Sequence, residues 1–109
     1  MARTAVPVTQ ITRTGVAPGT EVSGDATNQH VIANNGRMLL QVRNSGSTVA
    51  RTVTFRLPGL TDGQAITPRT VSIPTSATRW FGPFPTGDYG SQLQVDVDNA
   101  ELKLTAYGV

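Results

Sequence analysis

The 109 residues suffice for one domain with a modest core, burying roughly 60–70% of the unfolded surface, and are too few for two. The absence of cysteine excludes disulfide staples, thiolate catalysis and Cys-ligated zinc. The net charge is only +2 although the pI is 9.7, and the basic residues Arg3, Arg13, Arg37, Arg43, Arg51, Arg56, Arg69, Arg79 and Lys103 stand singly. No basic run of the kind that tracks a nucleic-acid backbone is present, so no nucleic-acid partner is expected. The preference for Arg over Lys points instead to a GC-rich genome. Prominent Thr, Val, Gly and Pro, with few Lys, Glu and Leu, favour pleated strands and tight turns. The opening M-A-R-T-A-V-P-V lacks an apolar signal-peptide core, and no apolar run approaches membrane-spanning length. A soluble product made in the cytoplasm, with no membrane partner, is the expectation.

In chain order, Val6 to Thr14 alternate weakly and carry Pro7, which marks an edge strand or an extended arm. Residues 15–29, G-V-A-P-G-T-E-V-S-G-D-A-T-N-Q, are polar, glycine-rich and aperiodic, and read as a long loop of the kind kept for binding. This quarter has few apolar residues to hold it down. The expected division is an extended N-terminal arm and loop over 1–29 and a sandwich domain over 30–109.

From His30 the pattern sharpens. His30-Val31-Ile32-Ala33 is a short apolar segment, and Asn34-Asn35-Gly36 signals a turn that needs positive φ. Residues 37–44, R-M-L-L-Q-V-R-N, put Met38, Leu40 and Val42 on one face. Residues 52–57, T-V-T-F-R-L, turn Val53, Phe55 and Leu57 inward, and Pro58-Gly59 stops them. Residues 69–73 follow with Val71 and Ile73 inward, then a short strand over 78–81. The alternating runs 93–97 and 101–107, joined by Asp98-Asn99-Ala100, read as a hairpin. No window has a helical period. Short strands with turn signals every eight to twelve residues predict an all-β fold: a single β-sandwich, Ig-like or jelly-roll-like, with an extended N-terminal arm.

Little here suggests chemistry. His30, the sole histidine, lies in an apolar segment without a second histidine or a nucleophile motif, and reads as a strand residue with no chemical role. Asp96, Asp98 and Glu101 cluster, with both aspartates on the outward face of a strand. The run lacks the glycine and spacing of a calcium loop and reads as a solvated face. No enzyme, cofactor, metal or small-molecule substrate is expected. What stands out is W-F-G-P-F-P-T-G-D-Y-G, residues 80–90, which holds four of the six aromatic residues. Phe81 and Phe84 are expected to close one end of the core while Gly82-Pro83 turns the chain. Trp80 and Tyr89 are candidates to face outward as interface anchors.

The features A-N-N-G-R-M-L-L-Q-V-R-N-S-G, T-V-T-F-R-L-P, T-V-S-I-P, R-W-F-G-P-F-P and L-Q-V-D-V-D-N-A-E-L-K-L-T-A-Y follow one another from about Ala33 to Tyr107. Behind an M-A-R-T-A opening, they resemble small all-β head decoration (cement) proteins of tailed bacteriophages infecting GC-rich Gram-positive hosts. Gly36-Arg37 followed by Gly82-Pro83-Phe84-Pro85 is the most specific piece. The resemblance implies a non-enzymatic virion protein on the outer capsid surface that stabilises the shell by binding the major capsid protein. It also implies possible self-association, a trimer being conceivable. The candidate contacts are Arg3, Thr4, Val6, Val8, Ile11 and Arg13 in the arm, with Trp80 and Tyr89. The alternative is a carbohydrate- or receptor-binding sandwich of a tail or surface protein, with Trp80 and Tyr89 as stacking platforms.

Overall fold

The computed structural model describes residues 3–109, with the backbone alone at Leu60, Thr61 and Ala65; Met1 and Ala2 of the expected arm lie outside the described residues. The chain runs β1 (Thr4–Ala5), β2 (Val8–Gln10), β3 (Val22–Ser23), β4 (His30–Ala33), β5 (Met38–Asn44) and β6 (Arg51–Phe55). It continues β7 (Leu60–Thr61), β8 (Gln64–Ala65), β9 (Arg69–Ile73), β10 (Thr78–Phe81), α1 (Thr86–Tyr89), β11 (Gln92–Val97) and β12 (Leu102–Gly108). One sheet has the order β1-β4-β11-β6-β9. The other has β10-β5-β12-β2, with β3 also on β12; β7 and β8 form a separate hairpin. The fold is all-β, and the two sheets are arranged in a sandwich-like way.

The alternating residues do what their period requires. Along β5, Met38, Leu40, Val42 and Asn44 are buried while Leu39, Gln41 and Arg43 lie on the opposite face. Val53 and Phe55 of β6, Ile73 of β9, Leu93, Val95 and Val97 of β11, and Leu102, Leu104 and Ala106 of β12 join them in one core. From β3 onward, only the passage from β6 to β9 stays within one of the two large sheets, and that passage contains the small hairpin. Residues 93–97 and 101–107 are therefore not a hairpin: β11 pairs with β4 and β6, and β12 with β5, in the other sheet. A short turn at Asp98-Asn99-Ala100 suits a change of sheet as well as it suits a hairpin, so turn chemistry alone cannot separate the two.

Two buried asparagines brace the ends of β5. Asn34 donates through Nδ2 to the carbonyls of Phe84 and Gly90, both at 3.0 Å, and accepts from the Gly36 N–H. Asn44 donates to the carbonyls of Val49 and Ile73, both at 3.1 Å, and accepts from the Gly46 N–H. Each ties three backbone groups through one buried side chain, so removing either would leave the inner ones, the Phe84 carbonyl for Asn34 and the Ile73 carbonyl and Gly46 N–H for Asn44, without that partner.

Of the two expectations for the N-terminal segment, an edge strand or an extended arm, the structure holds edge strands and does not support the arm. β1 pairs in parallel with β4 (Thr4 with His30, Ala5 with Val31), and β2 pairs in parallel with β12 (Val8 with Ala106). Between them the segment crosses from one sheet to the other, and Val6, only 3% exposed, sits in the core at the crossing. Pro7 falls between the two short strands. The segment is a strap closing one side of the sandwich, and the division at residue 29 does not separate two structural units. Val6 is the residue that makes the strap part of the core. Val6→Asp buries an unpaired carboxylate there, so it is expected to lower the unfolding free energy by about 2–4 kcal/mol in urea denaturation. An unchanged midpoint would mean that the strap is a loose arm after all.

Candidate protein-binding face

The outer face of the β10-β5-β12-β2 sheet carries the largest exposed apolar group among the described residues. Phe81 turns inward, its ring 5.0 Å from that of Phe55. Strand alternation then sends its neighbour Trp80 outward, where it is 58% exposed opposite Gln41 of β5. Trp80 stacks on Tyr107 with ring centroids 5.6 Å apart and planes tilted by 30°.

Residues 11–23 fold over the rest of this face. The Gly19 N–H donates to the Tyr107 hydroxyl at 3.0 Å, and Arg43 grips Glu21 through Nε and Nη2, both at 2.9 Å. Lys103 Nζ donates to Ser23 Oγ. The Arg43–Glu21 pair is well exposed, so its two-point geometry guides the loop more than it stabilises the fold. Gly19 permits the close approach: a Cβ there would lie 2.8 Å from Thr9 Oγ1 and 3.0 Å from Thr105 Cγ2. A second glycine is needed at the bend after Trp80. Gly82 has φ +135°, and a Cβ would come within 2.7 Å of the Met38 carbonyl oxygen.

The result is a shallow hollow bounded by Ile11, Val16, Pro18, Trp80 and Tyr107. Ile11 and Val16 are 43% and 42% exposed. A second apolar hollow, lined by Leu39, Pro83 and Val109 together with Gly36 and Arg37, opens on the same molecule and adjoins β5 through Leu39. A third hollow, more polar than the other two and lined by Trp80, Phe81, Phe84, Arg69 and Asp88, lies at the aromatic corner.

Of the residues expected at an interface, the structure brings Ile11 and Trp80 together on this face. Arg13, also exposed, lies in the same loop. The other candidates lie outside the hollow around Trp80. Val6 is core, and Val8 packs against the core from β2. Tyr89, expected as a candidate for the surface, is 9% exposed and sits edge-on to Phe84 at 5.2 Å. The four-residue helix α1 turns it back under the corner, which no helical period in the sequence announced. Thr4 is held in β1, its hydroxyl donating to Asp25.

Arg3 is committed inside the molecule, donating to Asp96 Oδ1 at 2.6 Å and to the His30 carbonyl. Asp96 takes Arg56 on its other oxygen. Burial alone would raise the Asp96 carboxyl, but the Arg3 and Arg56 guanidiniums outweigh it and hold the group below its ordinary range. The residues missed by sequence reasoning are Val16 and Tyr107, one in an aperiodic loop and the other at the end of a strand read only for its alternation.

His30 is fully buried. Its Nε2 accepts the Asp25 N–H at 2.8 Å, which puts the proton on Nδ1, and Nδ1 has no partner among the described residues. Burial pushes its pKa below the ordinary 6.5, despite the nearby Asp25 and Asp96 carboxylates. Among the described residues no three His, Asp or Glu side chains converge as a metal site. No protein-family model, curated protein or solved structure matches this chain.

The imidazole generates a pH prediction. The folded chain keeps His30 neutral, whereas the unfolded chain binds a proton below about pH 6.5. Stability is therefore complete above that value and falls as the pH drops through it. The melting temperature is expected to decline as the pH falls below about 6.5, and the His30→Gln variant to show a flatter profile. An equally steep decline in the variant would assign the effect elsewhere.

Proposed function

We propose that this protein is a non-enzymatic virion component that decorates and stabilises a phage capsid by binding the outer surface of the major capsid protein. The observation that carries the binding half of this reading is Trp80. A tryptophan that is 58% exposed, propped against Tyr107 and flanked by exposed Ile11 and Val16, resembles the aromatic anchor of a protein interface. The capsid half rests on the resemblance of residues 33–107 to decoration proteins.

The strand order supports a jelly-roll-like reading of the sandwich. β3-β12-β5-β10 faces β4-β11-β6-β9, and all neighbours within these two sets are antiparallel. Together with the successive changes of sheet, this is the winding of an eight-stranded jelly roll, to which the N-terminal strap is an addition. On this reading the capsid contacts move from the strap to the loop over residues 11–18 and to Trp80. The glycan-binding alternative gains nothing from the geometry, because Tyr89 is buried and cannot pair with Trp80 as a stacking platform.

Added to undecorated heads, the wild-type chain is expected to co-sediment at a fixed ratio to the major capsid protein. Trp80→Ala should reduce that occupancy while changing stability by no more than about 1 kcal/mol, since it loses one exposed stacking contact. Heads that sediment without the wild-type chain would overturn the reading.

A further inference from the structure

The charges of this molecule are unevenly paired. Among the described residues, Asp96 takes Arg3 and Arg56, Glu101 takes Arg51, and Glu21 takes Arg43. Asp25 accepts the Thr27 and Asn28 N–H groups and the Thr4 hydroxyl, and Asp98 accepts the Thr52 N–H. Four arginines form no ion pair within the described residues: Arg13, Arg37, Arg69 and Arg79.

Three of them border the apolar face or its corner. Arg37 lines the hollow of Leu39, Pro83 and Val109, and Arg69 lines the hollow beside Trp80. Arg79 precedes Trp80 on β10 and so leaves the strand on the side of Phe81, away from this face, its guanidinium donating to the Thr78 carbonyl. Arg13 belongs to the loop that walls Trp80 on the other side. One carboxylate, Asp88, shares the corner with Arg69 without an ion pair. The rim of the face is therefore cationic on balance, three arginines against Asp88, while Asp25, Asp62 and Asp98, which also form no ion pair among the described residues, lie on other segments.

We propose that this face docks a protein surface built as an apolar ridge flanked by carboxylates. The proposal deepens the decoration reading and rests on it for the partner's identity: there, the ridge belongs to the outer face of the capsid shell. Burial of Trp80 and its aliphatic neighbours supplies the anchor. The arginines supply steering and register, because rim charges act mainly on association rate and specificity.

Two other occupants fit less well. A second copy of this chain offers four acids without an ion pair among the described residues, Asp25, Asp62, Asp88 and Asp98. They come from four separate segments, and Asp25 is already taken up by the Thr27 and Asn28 N–H groups and the Thr4 hydroxyl. A nucleic-acid backbone asks for a continuous track of cations and several stacking rings. Here the arginines come from separate elements, Trp80 is the one strongly exposed ring among the described residues, and the intervening surface is aliphatic.

The test uses the full chain as wild type, Trp80→Ala, the double variant Arg37→Glu/Arg69→Glu, and Ser47→Glu as a charge control in the loop at the far end of β5. Each is titrated onto undecorated heads. Each is also titrated onto an immobilised peptide alternating Glu with Leu and Phe, onto its Lys-for-Glu counterpart, and onto a single-stranded oligonucleotide. Wild type and the control should bind heads and the acidic peptide. Binding should weaken as salt rises from about 0.1 M to about 1 M, which shortens the screening length from about 10 Å to about 3 Å.

The double variant should bind at least about tenfold more weakly, a loss near 1.4 kcal/mol, with little remaining salt dependence. Trp80→Ala should weaken binding and keep that dependence. Capture of the acidic peptide without capture of heads would leave the chemistry of the face standing and remove the capsid. A double variant that binds like wild type, a preference for the oligonucleotide or the Lys peptide, or self-association in ultracentrifugation that Trp80→Ala abolishes would each overturn the proposal.

Discussion

Phe55 holds one end of the core, with the rings of Phe81 and Phe84 at 5.0 and 5.3 Å from it, and this contact fixes the phase of β10. A strand has a side-chain period of two, so a neighbour of an inward ring must face outward. With Phe81 committed to Phe55, Trp80 has no place in the core. The bend at Gly82-Pro83 then returns Phe84 to the same ring, and Asn34 holds the far side of the corner through the carbonyls of Phe84 and Gly90. The exposed tryptophan is thus a consequence of core packing. A register slip would exchange it for Phe81 and open the end of the sandwich.

The other half of the face is assembled from the opposite end of the chain. Tyr107, near the C-terminus, receives the Gly19 N–H and supports Trp80, so one side chain joins the N-terminal loop, β12 and β10. The loop reaches this position because the strap before it is fixed: the Ile11 N–H donates to the Gly108 carbonyl at 2.8 Å, and β2 lies along β12. Val6 and the Arg3–Asp96 pair hold the strap at the other sheet. Burial of one valine on one side of the molecule therefore helps to position Ile11 and Val16 on the other.

How much of this was legible follows from how local each signal is. β4, β5, β6, β9, β10, β11 and β12 lie where alternation and turn residues put them, because a period of two over four to seven residues is written in the strand itself. Phe84 as a core plug was legible for a similar reason, being a large apolar ring between turn residues. The strap was not. β1 and β2 are two or three residues long, and their partners lie about 25 and 100 positions away, so their pairing depends on edges that exist only once the sandwich has formed. Arg3 looked like a free basic residue for the same reason: Asp96, its partner, is 93 positions distant. Tyr89 was unreadable because one turn of helix, too short to show a period, decides its direction.

The two halves of the face differ in how they are held, and the difference bears on what they can contribute to binding. Trp80 is mounted on a strand paired with β5 through four residues and leans on a buried tyrosine, so little side-chain freedom is left to lose when a partner covers it. Residues 12–18 lie outside both sheets, their backbone tied by the Gly15 N–H to the Thr12 carbonyl and, just beyond, by Gly19 to Tyr107. A rigid aromatic beside a segment anchored mainly at its ends suits a surface in which one residue sets position and the other side adapts. The affinity would then concentrate on Trp80, while the loop, whose Val16 is exposed but loosely tethered, would adjust the fit at the cost of some ordering entropy.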